Sequence, residues 1–266
     1  MTHPLHRFAG SWAAVTGSAR AEGLGYALAR QLAQRHINVV LIDILEDDLG
    51  ARAAELRKEY GVDVRPIATD LADLESYPRI LEALSDINVD VLICNHMFTP
   101  KETPKILDMP LDVHNAMIDI NARAYVNLTH PLANLMVKRG RGAVVIVSSA
   151  AGLTPTPYTG AYGANKAFQI AFGEALWFET RNTGVDVLVV SAGLMNTQGD
   201  ALAKYPKWQI ADPNECATEI LSVVGRKHMV TPGRANHLFT LINTRLMSRR
   251  RAVETVGKFM ERGLGK

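Results

Sequence analysis

Trp12-Ala13-Ala14-Val15-Thr16-Gly17-Ser18-Ala19-Arg20-Ala21-Glu22-Gly23-Leu24-Gly25 runs from an apolar segment into a helix-period stretch through three glycines. Trp12–Thr16 reads as a buried strand, and Leu24–Arg35 repeats its apolar residues at helical spacing. Glycine between them lets the backbone turn tightly and approach a phosphate, whose charge then sits at a helix N-terminus. The usual G-x-G-x-x-G spacing is absent, so the turn gains weight only from its surroundings. The next apolar run, Asn38–Ile42, ends on Asp43. A carboxylate at the tip of a second strand can accept both hydroxyls of a ribose, and it repels a 2′-phosphate.

The same alternation continues along most of the chain. Strand-like runs are Val62–Ala68, Val89–Cys94, Ala143–Val147, Val185–Val190 and Met229–Thr231. Helix-period stretches lie between them at Glu46–Tyr60, Leu74–Ser85, Val113–Lys138, Gly160–Arg181 and Pro213–Gly225. Strand and helix in alternation, with strands apolar on both faces, predict an α/β fold. The expectation is a single doubly wound Rossmann-type domain with a parallel seven-stranded sheet over residues 1–233. Within it, residues 193–211 form a long connection, and connections of this length often cover a site. Residues 234–266 read as a basic helical C-terminal extension with Arg249, Arg250 and Arg251 in a row.

Composition sets outer limits. The chain has 266 residues, 47% of them hydrophobic and 21% charged, with a formal net charge of +2. These values exclude disordered and coiled-coil architectures. Seven basic and two acidic residues fall between Arg245 and Lys266, which leaves the body slightly acidic and unsuited to nucleic acid. Two cysteines, Cys94 and Cys216, cannot build a disulfide framework and point to a reducing, cytoplasmic compartment. Met1–Gly10 lacks the apolar core of a secretory signal. The longest charge-free stretch, Gly142–Asn165, contains Pro155 and Pro157 and is too polar for a membrane span.

Tyr162-Gly163-Ala164-Asn165-Lys166 opens a long helix, and a spacing of four puts Tyr162 and Lys166 on one face. A free phenol has a pKa of about 10 and is a poor base at neutral pH. A neighbouring ammonium favours the phenolate and lowers that value. Ser149 follows an apolar strand 13 residues before Tyr162, where its hydroxyl can bond a substrate oxygen. Together the three can take a proton from an alcohol while its hydride leaves for a nicotinamide.

These residues, in this order, resemble the short-chain dehydrogenase/reductase family over roughly Ala9 to Thr231. The resemblance makes Asn121, Ser149, Tyr162 and Lys166 the catalytic set, with Asn121 holding a water in a proton relay. It gives the cofactor Gly17, Arg20, Gly23, Leu24, Gly25 and Asp43, then Asp70 and Leu71 beside the adenine. Asn95, Tyr162, Lys166, Gly193 and Thr197 complete that set near the nicotinamide and its ribose. No metal ion is implied. Ile44 and Leu45 after Asp43 favour NAD, whereas Arg20 can reach the 2′-phosphate of NADP. The sequence departs from the family at Cys94-Asn95-His96-Met97, where Asn-Asn-Ala-Gly is usual. Enoyl reductases of the superfamily space their tyrosine and lysine more widely, which would need tyrosine at Thr159.

The pattern places His96, Met97, Leu153, Pro155, Tyr158, Leu194, Met195 and Trp208 around the substrate. Most are apolar or aromatic and none is an arginine, so a small hydrophobic alcohol or ketone, cyclic and terpenoid or steroid-like, is expected. The alternatives are a 3-oxoacyl thioester reductase using NADPH and a non-catalytic dinucleotide sensor. The helix from Gly160 carries Phe168, Ile170 and Phe172 on different faces, so it should be buried on most sides. In the family this helix packs against its own copy, which implies a homodimer or homotetramer.

Overall fold

A computed structural model describes residues 3–100, 105–197 and 207–264. Seven parallel strands form one sheet: β1 (Trp12–Thr16), β2 (Asn38–Asp43), β3 (Val64–Ala68), β4 (Val89–Cys94), β5 (Gly142–Ser149), β6 (Val185–Ala192) and β7 (Met229–Val230). Their spatial order is β3-β2-β1-β4-β5-β6-β7. The chain leaves β1 in one direction, then returns to lay β4 on its other side. The strand order therefore reverses between β1 and β4, and such a switch point opens a crevice at the C-terminal strand ends.

Alternate residues of each strand feed two separate apolar layers. Ala13, Val15, Val39 and Leu41 pack with α1 (Leu24–Ala33), α2 (Glu46–Tyr60) and α7 (Pro213–Val223). Ala14, Val40 and Ile42 face α3 (Ser76–Ala83) and α5 (Ala124–Arg139). The second layer also takes Phe172 and Leu176 from α6 (Tyr162–Glu179). Every residue of β4 is buried, as a central strand covered on both faces requires. β3 is covered less, with Val64 alone buried and Pro66 and Ala68 exposed, because it is an edge, and it tolerates Pro66 for the same reason.

The structure corrects one expected helix. Val113–Lys138 is not continuous: α4 (Leu111–Ile118) and α5 are joined by a π-turn at Asp119–Arg123. A π-turn pairs i with i+5 and so interrupts the helical ladder, commonly at a functional site. Asn121 sits in the middle of this turn and is fully buried.

Close packing sets where α6 lies. Gly173 passes so near β6 that a Cβ there would lie 2.5 Å from Val189 Cγ2. At the start of the helix, a Cβ on Gly152 would lie 2.5 Å from the Lys166 carbonyl carbon. The single turn Ala150–Gly152 after β5 therefore rests directly on α6. The α6 surface is less covered than its sequence suggests, since Phe168, Trp177 and Phe178 are exposed.

Beyond β7, α8 (Arg234–Leu241), a second π-turn (Ile242–Leu246) and α9 (Arg249–Leu264) form the tail. α9 docks on the segment after β5, where the Tyr158 hydroxyl donates to Glu261 Oε1 at 2.8 Å. Arg249, Arg250 and Arg251 all face solvent, and Arg250 pairs with Glu254. Of the long connection expected at 193–211, residues 198–206 lie outside the described residues. Among the described residues, no helix is long and apolar enough to cross a membrane.

Gly173→Leu should overpack the α6–β6 contact and cost about 1–3 kcal/mol. Urea denaturation should register the loss as a lower midpoint with an unchanged slope.

Candidate active site

Three strand ends and the start of α6 converge beside the switch point. At the end of β1, Gly17 adopts φ +66°, a left-handed conformation in which a Cβ would also lie 2.9 Å from His96 Cα. Gly25 is closer still, with its virtual Cβ 2.1 Å from the Gly17 oxygen. Asn95 locks this turn by donating from Nδ2 to Thr16 O (3.2 Å) and Gly17 O (3.0 Å). α1 then begins with Gly23 as its cap, no side-chain cap bond and no acidic residue in its first turn. Its first amides are thus available to an anion, and the helix dipole favours one there.

Asp43 extends from the end of β2 to the same turn. Its Oδ2 accepts from the Ala19 amide at 3.0 Å and its Oδ1 from the Ile44 amide at 2.8 Å. Oδ1 also accepts from the Leu45 amide at 3.4 Å, so the lone pair left for a further donor is on Oδ2. Arg20 is exposed at the outer edge of the turn. Asp70 and Leu71 lie past β3, where Asp70 Oδ1 caps Ala72 and the Leu71 carbonyl accepts from the Tyr77 hydroxyl. The glycine turn, the open helix start and Asp43 fit a dinucleotide, whose phosphates Gly17, Gly23, Leu24 and Gly25 would face.

At the other end of the crevice, Ser149 closes β5 and Tyr162 opens α6. The Ser149 hydroxyl beside the phenol favours its ionised form and partly offsets a pKa raised by burial. The Lys166 ammonium lies 5.6 Å from the centre of the Tyr162 ring. Lys166 is 2% exposed, and burial brings its pKa down to about 7. Its Nζ donates to Val147 O at 3.1 Å and to Gln169 Oε1 at 3.0 Å. Those two acceptors use two of the three ammonium hydrogens and leave the third for the crevice.

Asn121 serves differently from a side chain pointed at substrate. Its amide exchanges two bonds with the Phe98 backbone, at 2.8 and 2.7 Å, and so ties the chain after β4 to the π-turn. Its own carbonyl accepts from Gln169 Nε2 at 2.6 Å.

Several residues expected around a substrate are scattered. Met97 is 44% exposed and Leu153 and Leu194 are half-buried, all near the ends of β4, β5 and β6. Tyr158 is turned toward α9, while Trp208 is 70% exposed in the turn Lys207–Gln209. Met195 instead packs in the core layer of α1, α2 and α7. Gly193 contacts Asn236, and Thr197 N bonds Met195 O. His96 is likewise a buried structural group and not a pocket wall. Its Nδ1 shares a 2.7 Å hydrogen bond with Thr16 Oγ1, and its ring lies 4.4 Å from that of Tyr125. Burial, with the Lys166 charge assisting, lowers its pKa to about 3.

Thr16, Tyr125 and Gln169 were not singled out by motif. Thr16 Oγ1 also accepts from the amides of Asn95 and His96, and Tyr125 donates to the carbonyls of His96 and Val147. Gln169 carried one readable signal, since it repeats at three and seven residues after Lys166 and Tyr162, on their helix face.

The model of the short chain dehydrogenase family matches residues 11–206. The chain belongs to the short-chain dehydrogenase family. It is 30% identical over 241 residues to a 7β-hydroxysteroid dehydrogenase of Collinsella aerofaciens, covering 85% of this chain and 88% of that one. It is 31% identical over 219 residues to the very-long-chain 3-oxoacyl-CoA reductase of Bos taurus, covering 81% of this chain and 69% of that one. A solved structure of a 7β-hydroxysteroid dehydrogenase superposes with a TM-score of 0.87 at 26% identity, over 96% of this chain and 99% of that one. Membership makes the protein an oxidoreductase of hydroxyl and keto groups on a fold that binds nicotinamide dinucleotides.

Between pH 6.5 and about 3 the unfolded chain binds a proton at His96 that the folded chain excludes. Stability should therefore fall as pH drops through that window. Urea midpoints measured from neutral to about pH 4 should decline, and His96→Asn should flatten the decline.

Proposed function

We propose that this protein is an NAD-dependent dehydrogenase interconverting a hydrophobic, cyclic, steroid-like secondary alcohol and its ketone. The observation that carries the reading is the grouping of Ser149, Tyr162 and Lys166 at the C-terminal end of β5, beside the glycine turn. The similarity to 7β-hydroxysteroid dehydrogenases and the apolar Met97, Leu153 and Leu194 support the substrate class. Asp43 supports NAD, because its carboxylate stands at the end of β2 where a 2′-phosphate would meet a like charge.

Bound nicotinamide would supply the hydride acceptor in oxidation. Ser149 holds the reacting oxygen through its hydroxyl. Tyr162 as phenolate takes the hydroxyl proton, and as phenol returns it in ketone reduction. Lys166 stabilises the phenolate by charge and offers its third hydrogen to the ribose. Asn121 maintains the crevice wall by holding Phe98. Buried free Cys94 and Cys216 support a reducing, cytoplasmic setting. Exposed Phe168, Trp177 and Phe178 on α6 support packing against a second copy of the chain.

A second reading, reduction of 3-oxoacyl thioesters, is favoured by the bovine relative and uses the same groups. The two separate on substrate: a panel of hydroxysteroids and 3-oxoacyl thioesters assigns turnover to one class.

Tyr162→Phe should lower kcat by at least about a thousandfold while NADH still binds, as loss of a general base predicts. Wild-type alcohol oxidation should rise with pH as the phenol ionises, and ketone reduction should fall. Retained turnover in the variant, or flat profiles, would refute the assignment. Nicotinamide fluorescence titrations should show tighter NADH than NADPH binding, with Asp43→Ala narrowing the gap about tenfold or more. A wild-type preference for NADPH would overturn the cofactor choice.

A further inference from the structure

Lys166 is held in an unusual way for a buried cation. One of its two acceptors is backbone, Val147 O, and the other is the side chain of Gln169, one helical turn later. Gln169 is itself fully buried. Its amide nitrogen faces the carbonyl of Asn121 in the π-turn at 2.6 Å. The orientation of the carboxamide is therefore fixed: an NH₂ turned toward an ammonium would leave donor against donor. Residues 48 apart in sequence, Asn121 and Gln169, thus meet through a group that also grips the ammonium.

Resting on the functional reading above, we infer that Gln169 is the positioning residue for Lys166. Its carboxamide bridges the ammonium to the Asn121 carbonyl with protein atoms, where the family resemblance assigns a water. The bridge fixes the direction of Nζ beneath Tyr162 and contributes an acceptor that favours the charged lysine. The π-turn supplies the anchoring carbonyl, and α6 supplies both ends of the Lys166–Gln169 contact.

The titratable groups that face Lys166 are few among the described residues. Tyr162 lies on its own helix, Tyr125 comes from α5 with its ring 5.7 Å from Nζ, and His96 comes from the end of β4. His96 is neutral above about pH 3, and Tyr125 is held neutral by burial. Near neutral pH, a change in the acceptor at position 169 therefore falls on Lys166 and, through its charge, on Tyr162.

The test compares Gln169→Met and Gln169→Glu with the wild type. Methionine keeps the volume and removes the acceptor, whereas glutamate keeps an acceptor and adds charge. Lys166 is read directly in the free protein by NMR titration of isotopically labelled lysine side chains, with Lys166→Arg identifying its signal. Its midpoint should fall by about one pH unit in Gln169→Met and rise by at least as much in Gln169→Glu. Opposed shifts exclude a purely structural role, since damage to the fold would move both variants alike. A Lys166 midpoint that stays put in both folded variants, or moves the same way in both, overturns the inference. If the midpoints shift as stated but the wild type oxidises no alcohol, the functional reading fails and the Lys166–Gln169 coupling stands.

Discussion

Burying a cation is costly unless its hydrogens find acceptors, and much of this site is arranged around that requirement at Lys166. The lysine is 2% exposed, and a strand end and its own helix each provide one oxygen. Val147 is available because the pairing of β5 with β4 stops one residue earlier, at Ile146. Gln169 is available because α6 repeats its face every three to four residues. The contact at Gly152 brings both within reach, since any side chain there would push the turn after Ser149 away from Lys166. The placement of Ser149 against Tyr162 follows from the same close approach.

Opposing effects then set the chemistry. Burial raises the Tyr162 phenol and lowers the Lys166 ammonium, so desolvation alone would leave both neutral. The neighbouring Ser149 hydroxyl and the two carbonyl-type acceptors on Nζ work against desolvation. Removing water strengthens each of these interactions while making a missing one more damaging. His96 shows the limit of this balance: with no carboxylate beside it among the described residues to compensate burial, it stays neutral and acts as packing between Thr16 and Tyr125.

The phosphate end obeys a steric constraint. Gly17 and Gly25 lie so close to each other and to the chain after β4 that no larger residue fits without moving backbone. Asn95 uses that proximity to bond the turn directly. The departure from the family pattern at His96 and Met97 is accommodated on this side. His96 folds inward onto Thr16, and Met97 points outward, 44% exposed.

The sequence alone determined the alternation of strands and helices, the switch-point turn, Asp43 at the end of β2, and the shared face of Tyr162 and Lys166. Each is encoded within a few residues by apolar periodicity, a glycine cluster or a fixed helical spacing. The break of the expected Val113–Lys138 helix was not legible, because a π-turn adds a residue without any glycine or proline to mark it. The inward turn of His96 and the burial of Met195 in the opposite core layer were also hidden. Only the tertiary structure decided that Gln169 meets Asn121 and that His96 meets Thr16, pairs 48 and 80 residues apart. Such contacts depend on how closely separate elements pack, and local sequence carries periodicity but not the distance between one helix and another.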